Sequence, residues 1–158
     1  MAVSGAAPVE APVARAARAA YGAHYPLPPG APLPQVGAPV RVERLDRGGH
    51  YLLVPLCDAL RRHGLVQMDA DTLAIESVAA VSGREVLQLL PAAEALALAQ
   101  AAFPQQRRWQ PPALGWRPCR ESYSSFMPLW VVEHAEGQVY VTQAGQAFAQ
   151  PSWGRGGG

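Results

Sequence analysis

The side chains that could act as nucleophiles in this chain are two cysteines, Cys57 and Cys119, and a short run of serines. A thiol or hydroxyl nucleophile needs a general base within hydrogen-bond reach. The serines and histidines that could take part are Ser122, Ser124, Ser125, His50, His63 and His134. None of these residues lies in a recognisable nucleophile motif. We therefore predict a protein without catalytic residues, and a thiol-dependent enzyme is the least favoured alternative.

The two cysteines could also have a structural part. Cys57 and Cys119 could remain separate, buried or half-buried thiols, which is the interpretation we favour, or form one disulfide between the halves of the chain in an oxidising compartment. No Cys-x-x-Cys pair and no Cys/His spacing predicts a zinc site. Asp69 and Asp71 lie in a segment with neither the length nor the oxygen count of a calcium loop, and are explained better as turn formers. We predict no metal and no cofactor.

The segment Trp116–Phe126 is unusually rich in the residue types that dominate protein interfaces. Its candidate protein-binding residues are Trp116, Arg117, Arg120, Tyr123 and Phe126. In this interpretation Arg117 or Arg120 holds an acidic group of a partner. In the alternative, Trp116 and Phe126 are core anchors, and Arg120 and Glu121 form a local ion pair that holds the loop.

The composition predicts a folded chain and argues against some classes of partner. Of 158 residues, 49% are hydrophobic and 16% charged, which suffices for a core. A net charge of +1 does not favour nucleic-acid binding, and no run of about 20 apolar residues predicts a membrane span. All 13 basic residues are arginine, which indicates a GC-rich coding bias of bacterial type.

The start of the chain bears on its compartment. Residues Met1–Ala7 have no basic region followed by a long apolar stretch, so no signal peptide is visible in the chain as given. We expect a cytoplasmic protein, or an extracytoplasmic one whose leader has been removed. The oligomeric state and the identity of a partner are not predicted.

Residues 1–90 divide into two predicted units. Residues 1–39 comprise an Ala-rich helix over Pro8–Tyr21, stopped at Gly22, and a Pro-rich strap over Tyr25–Pro39. Residues 40–90 are β-rich: strands over 40–45 and 50–56 form a hairpin, 58–63 is a loop or one helical turn, and short strands follow over 65–68 and 73–77. Residues 78–90 fit either a buried strand or an extended lead-in to a helix.

Residues 91–150 form the third predicted unit. A helix over Ala92–Phe103 ends at Pro104, and residues 109–116 are extended. A polar loop over 118–125 leads to strands over 127–132, 139–142 and 147–149, separated by turns over 135–138 and 143–146. Residues 151–158 are predicted to be a flexible tail.

Two segments of the chain resemble each other. Gly64–Ile75 aligns without gaps to Gly137–Phe148, and each follows a dense apolar strand and, further upstream, an Ala-rich helix. Chance similarity between two hairpins is the alternative explanation.

The order of elements over residues 90–150 resembles the PepSY domain. The matching features are a helix ending in Phe-Pro, the strand Leu-Trp-Val-Val, a turn, the strand Val-Tyr-Val and a turn at Gly145. The acidic residue typical of that last turn is missing here, whereas the first copy keeps acids at Asp69 and Asp71 and lacks the glycine. The resemblance implies an α+β fold with a helix packed on an antiparallel β-meander, and two tandem half units if the repeat is real.

The same resemblance guides the functional prediction. Membership of the family would imply a propeptide-like inhibitor or a regulatory module, often outside the cytoplasm, with no catalytic residues. We accordingly predict a non-catalytic protein-binding or regulatory module with a protein partner. The alternative is a structural or accessory subunit of a larger bacterial assembly, in which the strap over 26–39 and the terminal arms order on neighbouring subunits.

Overall fold

The computed structural model describes residues 10–152, which form two α-helices and nine β-strands. The helices are α1 (Pro12–His24) and α2 (Ala92–Ala102). The strands are β1 (Gln35–Val36), β2 (Val40–Arg44), β3 (His50–Cys57), β4 (Arg62–Asp69), β5 (Ile75–Ser82), β6 (Ala113–Trp116), β7 (Leu129–His134), β8 (Gly137–Val141) and β9 (Ala147–Phe148).

All the strands belong to one sheet. Its order is β5-β4-β3-β2-β6-β7-β8-β9, with β1 pairing β3 beside β2. Every pairing is antiparallel except that of β2 with β6, which is parallel. The predicted α+β class, with helix packed on a mostly antiparallel sheet, is therefore confirmed.

The two helices cover opposite faces of this sheet. α1 packs on the face that carries Val54 and Val66. α2 packs on Val132 and Val139, and the registers across β3, β2, β6 and β7 put these residues on the other face. A two-fold rotation axis that lies in the sheet, parallel to its strands, keeps the strand direction and exchanges the two faces. The parallel pairing of β2 with β6 and the packing of the two helices on opposite faces have this arrangement.

The start of α1 follows from its sequence, although its ends differ from the prediction. Pro12 occupies the first turn, where its missing N–H costs nothing, and Ala17 and Tyr21 form a buried stripe one turn apart. The helix continues to His24, so Gly22 lies inside the helix and does not stop it. Residues 8 and 9 of the predicted helix lie outside the described residues.

A buried polar cluster docks α1 on the sheet. The Tyr21 hydroxyl donates to Asp58 Oδ2 at 2.6 Å, and Arg62 Nε donates to the same oxygen at 2.7 Å. Asp58 Oδ1 accepts the backbone N–H groups of Leu60 and Arg62. These hydrogen bonds lower the pKa of Asp58 although burial acts to raise it, while burial and the nearby carboxylate raise the pKa of Tyr21. Tyr21 lies directly over Gly64, which leaves room for its ring.

The Pro-rich strap is held by the sheet rather than lying free. Gln35 and Val36 pair with Cys57 and Leu56, and Gly37 N–H donates to the Pro55 carbonyl at 2.8 Å. The composition disfavours a central strand and predicts a linker or a strap lying across the surface. Here only two residues pair, and their pairing depends on β3, which is distant in sequence.

In the first β-rich unit β3, β4 and β5 are longer than predicted, and β2 is one residue shorter. The β2–β3 hairpin is confirmed, with β2 over 40–44 and β3 over 50–57. β4 begins at Arg62 and not at Leu65, so the predicted loop over 58–63 is a shorter turn. β5 runs over 75–82 instead of 73–77, and Gly83 ends it with a positive φ of 82°. Residues 83–90 then cross the sheet irregularly and pack Val86, Leu87 and Leu89 on its face.

The third predicted unit, residues 91–150, has its helix and strands close to the predicted positions. α2 spans 92–102 against the predicted 92–103, β6 takes the last four residues of the extended segment, and β7 lies two residues later than predicted. At the start of the predicted tail Pro151 is buried, and Ser152 donates two hydrogen bonds to the Glu121 carboxylate, at 2.7 and 3.0 Å. Residues 153–158 lie outside the described residues.

The two segments that align in sequence occupy comparable places. Val66 of β4 pairs with Val54 beneath α1, and Val139 of β8 pairs with Val132 beneath α2. Beyond the turn that follows β4 in one segment and β8 in the other, the strand pairing differs by one residue from what the gapless alignment implies. Met68 pairs with Ile75 whereas Val141 pairs with Ala147, so the first turn is one residue longer.

Neither α1 nor α2 has the length and apolar character needed to cross a membrane, and no other helix occurs within residues 10–152.

Candidate functional site

The loop that joins β6 to β7, residues 117–128, reaches across the sheet onto the first β-rich unit. The Tyr51 hydroxyl donates to the Ser125 carbonyl at 2.8 Å, and Ser125 Oγ donates to Gln67 Oε1. Burial raises the pKa of Tyr51. The loop is thereby fixed to β3 and β4 at Ser125.

A half-buried ion pair supports this attachment. Arg44, only 8% exposed, donates to Glu76 Oε1 at 2.5 Å, lies 3.5 Å from Asp69 Oδ2, and stacks 5.1 Å from the Tyr51 ring centroid. Gln67 Nε2 donates to the other Glu76 oxygen at 2.7 Å. Glu76 lies at the β4–β5 bulge, and a bulge turns a side chain out of the regular alternation. The network therefore joins β2, β4 and β5 beneath the loop.

The structure separates the five predicted binding residues into two groups. Trp116 and Phe126 are half-buried and pack against the cluster around Val42 and Leu114, as the core-anchor alternative describes. Trp116 Nε1 donates to Ser122 Oγ at 3.1 Å. These two aromatic residues hold the ends of the loop against the sheet.

The remaining three candidates lie nearer to solvent. Tyr123 is 84% exposed and Arg120 is exposed, whereas Arg117 is half-buried and its charge acts on Tyr140. Within residues 10–152 Arg120 and Glu121 form no ion pair. The Glu121 carboxylate accepts two hydrogen bonds from Ser152, which lower its pKa.

A groove runs beside the loop and was not predicted. It has a volume of about 350 Å³. Its lining residues are Val81, Arg84, Glu85, Val86, Gln88, Phe126, Met127, Gln143 and Ala144. We call it the Met127 groove, because Met127 is 54% exposed at its edge. The sequence predicts Met127 as the first residue of a strand, and no signal in it relates Val81 or Arg84 to Met127.

The charged residues that line the Met127 groove are Arg84 and Glu85, and Arg120 lies on the loop that contains Tyr123. Neither Arg84 nor Arg120 takes part in an ion pair among the described residues. An exposed guanidinium group can donate two parallel hydrogen bonds to one carboxylate. The groove can therefore receive an apolar side chain beside an acidic group.

The structure brings one candidate nucleophile, Cys57, beside one candidate base, His63, and leaves Cys119 in a different place. Cys57 lines a separate cavity of about 360 Å³ with His63, its cross-strand partner, and with Glu85. Cys119 is buried and lies 3.6 Å from the Ser122 carbonyl oxygen, and burial raises the pKa of its thiol. Both cysteines are free thiols, so the alternative of a disulfide is not realised in this structure.

The other polar candidates have local partners. Ser122 Oγ donates to the Met127 carbonyl, Ser124 Oγ accepts from Phe126 N–H, and Ser125 bonds to Gln67. His50 contacts Arg41, and the His134 ring lies tilted beside the Trp109 ring, with 5.2 Å between their centroids. Asp69 accepts from the turn N–H groups of Asp71 and Thr72, as expected of a turn former. Across residues 10–152 no group of three or more acidic, Cys or His side chains could hold a metal ion.

Comparison of the chain with protein-family models, with curated proteins and with solved structures gives no match.

Proposed function

We propose that this chain is a non-catalytic protein-binding module that engages its partner at the Met127 groove. The observation that carries the proposal is the exposure of Tyr123 and Met127, at 84% and 54%, on a loop that Ser125 fixes to the sheet. A fixed loop loses little conformational entropy on binding, so large exposed side chains on it contribute efficiently to affinity. Tyr is also a residue type enriched at binding hot spots.

The groove defines the chemistry of the partner. Val81, Val86 and Phe126 offer apolar walls to an inserted side chain. Arg84 on the groove wall and Arg120 on the same loop as Tyr123 are free of ion pairs in the described part of the chain, so they favour a carboxylate next to that side chain. The partner we propose is a protein segment in which an apolar residue is flanked by an acidic one.

We further propose that the chain consists of two tandem PepSY-like half units with a regulatory, inhibitor-like role. The parallel β2–β6 pair and the helices on opposite faces support two half units related by a two-fold axis. The accessory-subunit alternative relied in part on a free Pro-rich strap. Pairing of Gln35 and Val36 with β3 gives that alternative no support.

The test compares matched variants of two exposed apolar residues. Met127→Asp places a charge in the groove, and Leu33→Asp places the same charge on the strap, where Leu33 is 72% exposed. The immobilised wild-type chain is first used to capture a partner from a lysate of the cells whose genome encodes this chain. The captured partner is then purified. Its affinity for each variant is measured by titration calorimetry.

We expect Met127→Asp to weaken binding about 10- to 100-fold, because burial of such a side chain contributes roughly 1.5–3 kcal/mol. Leu33→Asp should bind as the wild type does. Equal affinity of wild type and Met127→Asp would exclude the groove as the binding site. Failure of any captured protein to bind the purified wild-type chain would exclude the proposed function altogether.

A further inference from the structure

β5 is a long edge strand without the usual protection of sheet edges. It has eight residues, whereas β9 at the other edge has two. Residues 77–82 contain no charged residue and no proline. Natural edge strands are commonly shortened, charged or interrupted so that they do not pair with other chains. Of these devices β5 has only the bulge near Glu76, at its beginning.

The hydrogen-bond phase of β5 determines which backbone groups are unpaired. Gly83 N–H donates to the Arg61 carbonyl, so this pair and every second pair after it are hydrogen-bonded within the sheet. The intervening residues are therefore those whose N–H and C=O point away from β4. These residues are Val78, Ala80 and Ser82. Their two-residue spacing is that of the hydrogen-bonding positions along one edge of an antiparallel strand.

We propose that a second copy of this chain pairs with β5 antiparallel, about a two-fold axis beside Ala80. In this register Ala80 faces Ala80 of the second copy, and Ser82 faces Val78 of the second copy. All three unpaired residues then form hydrogen-bonded pairs, and the two sheets become continuous. Such an interface is isologous, which is the commonest symmetry of homodimers.

The charges at the two ends of β5 favour a second copy over an unrelated strand. Three acidic and two basic residues lie together at the beginning of β5 and sum to a charge of −1: Asp69, Asp71, Glu76, Arg44 and Arg47. Two acidic and three basic residues lie at or directly after its end and sum to +1: Asp58, Glu85, Arg61, Arg62 and Arg84. Antiparallel pairing of two copies brings each end beside its opposite.

The side chains of residues 77–82 add no obstacle to this pairing. They are serine, alanine and valine, so two copies can approach to the ordinary strand spacing without burying a charge. The dimer forms through the backbone of β5 and does not involve Tyr123 or Met127, although Val81 of β5 also lines the Met127 groove.

The test uses Ser82→Pro and its matched control Ser82→Ala. Both remove the hydroxyl, but only proline removes the outward N–H, and a proline is tolerated where an edge N–H faces solvent. The mass of each protein is measured by size-exclusion chromatography with light scattering over a range of concentrations. Wild type and Ser82→Ala should reach twice the 16.8 kDa protomer mass.

Ser82→Pro should raise the dimer dissociation constant about 30-fold, because symmetry removes two hydrogen bonds. A wild-type chain that stays monomeric at about 0.1 mM would overturn the proposal. So would a dimer that Ser82→Pro leaves unchanged, since another surface would then form it.

A second measurement needs no variant and so does not depend on how a proline is tolerated. Amide hydrogen exchange of Val78, Ala80 and Ser82 in the wild-type chain should slow as concentration rises. The amide of Val81, which pairs with His63 inside the sheet, serves as the internal reference. Exchange at the three outward amides that is independent of concentration while a dimer is present would refute pairing through β5.

Discussion

Replacing Gly64 with alanine should undock α1 from the sheet. A Cβ at this position would lie 2.7 Å from Tyr21 Cδ2 and closer still to Cε2. The Tyr21 ring is fully buried, and its hydroxyl is held by Asp58 at 2.6 Å, so the ring cannot move aside without losing that hydrogen bond. Overpacking costs about 1–3 kcal/mol, and the lost bond to a charged acceptor roughly 1.5–3 kcal/mol more. We expect Gly64→Ala to lower the free energy of unfolding by about 3–5 kcal/mol.

Urea denaturation followed by circular dichroism measures this change. Gly22→Ala is the matched control, because nothing lies within 4 Å of a Cβ there and alanine favours the helix; it should stabilise the chain by about 0.5–1 kcal/mol. In a Tyr21→Leu background the cost of Gly64→Ala should fall to about 1 kcal/mol or less, since the ring is gone. A cost that is small in the wild type, or unchanged in the Tyr21→Leu background, would refute this account of the packing.

Two further predictions concern the Asp58 carboxylate and the thiols of the two cysteines. The folded-state pKa of Asp58 is depressed, so its stabilising contribution is present above the unfolded pKa of about 3.9 and is lost as pH falls through the lower folded value. The difference in unfolding free energy between wild type and Asp58→Asn should therefore shrink below about pH 4, and a pH-independent difference would contradict the assignment. Iodoacetamide should modify half-buried Cys57 faster than Cys119, whose pKa burial raises. Mass spectrometry of the native protein measures the two rates, and equal rates would count against the buried position of Cys119.

Elements fixed by local periodicity could be predicted from the sequence. β2 alternates, β3 is a dense run of β-prone residues, and a turn over 46–49 separates them. α2 is Ala-rich and bounded by Pro91 and Pro104. Elements that depend on distant partners could not. β1 is a strand only because β3 accepts it, and the end of β5 has small residues whose half-buried edge position leaves no alternation.

The candidate site was found only in part for the same reason. An interface-like composition pointed to the loop that contains Tyr123, but composition cannot separate a core anchor such as Phe126 from an exposed residue. The groove itself forms where residues 81–88 pass beside Phe126 and Met127. That proximity arises from the parallel pairing of β2 with β6, which joins segments about 70 positions apart and leaves no local signal.

The parallel β2–β6 pair also has a consequence for the order in which the chain folds. Within each half, strands pair with their neighbours in sequence, and such local contacts form early because they close short loops. The pairing of Glu43 with Gly115 and of Arg44 with Trp116 must instead close a loop that contains most of the first half and all of α2. We therefore expect strands β2–β5 and strands β6–β9 to pair first within each half. The β2–β6 pairing that joins the halves should form last, so that the slow phase of refolding measures its formation.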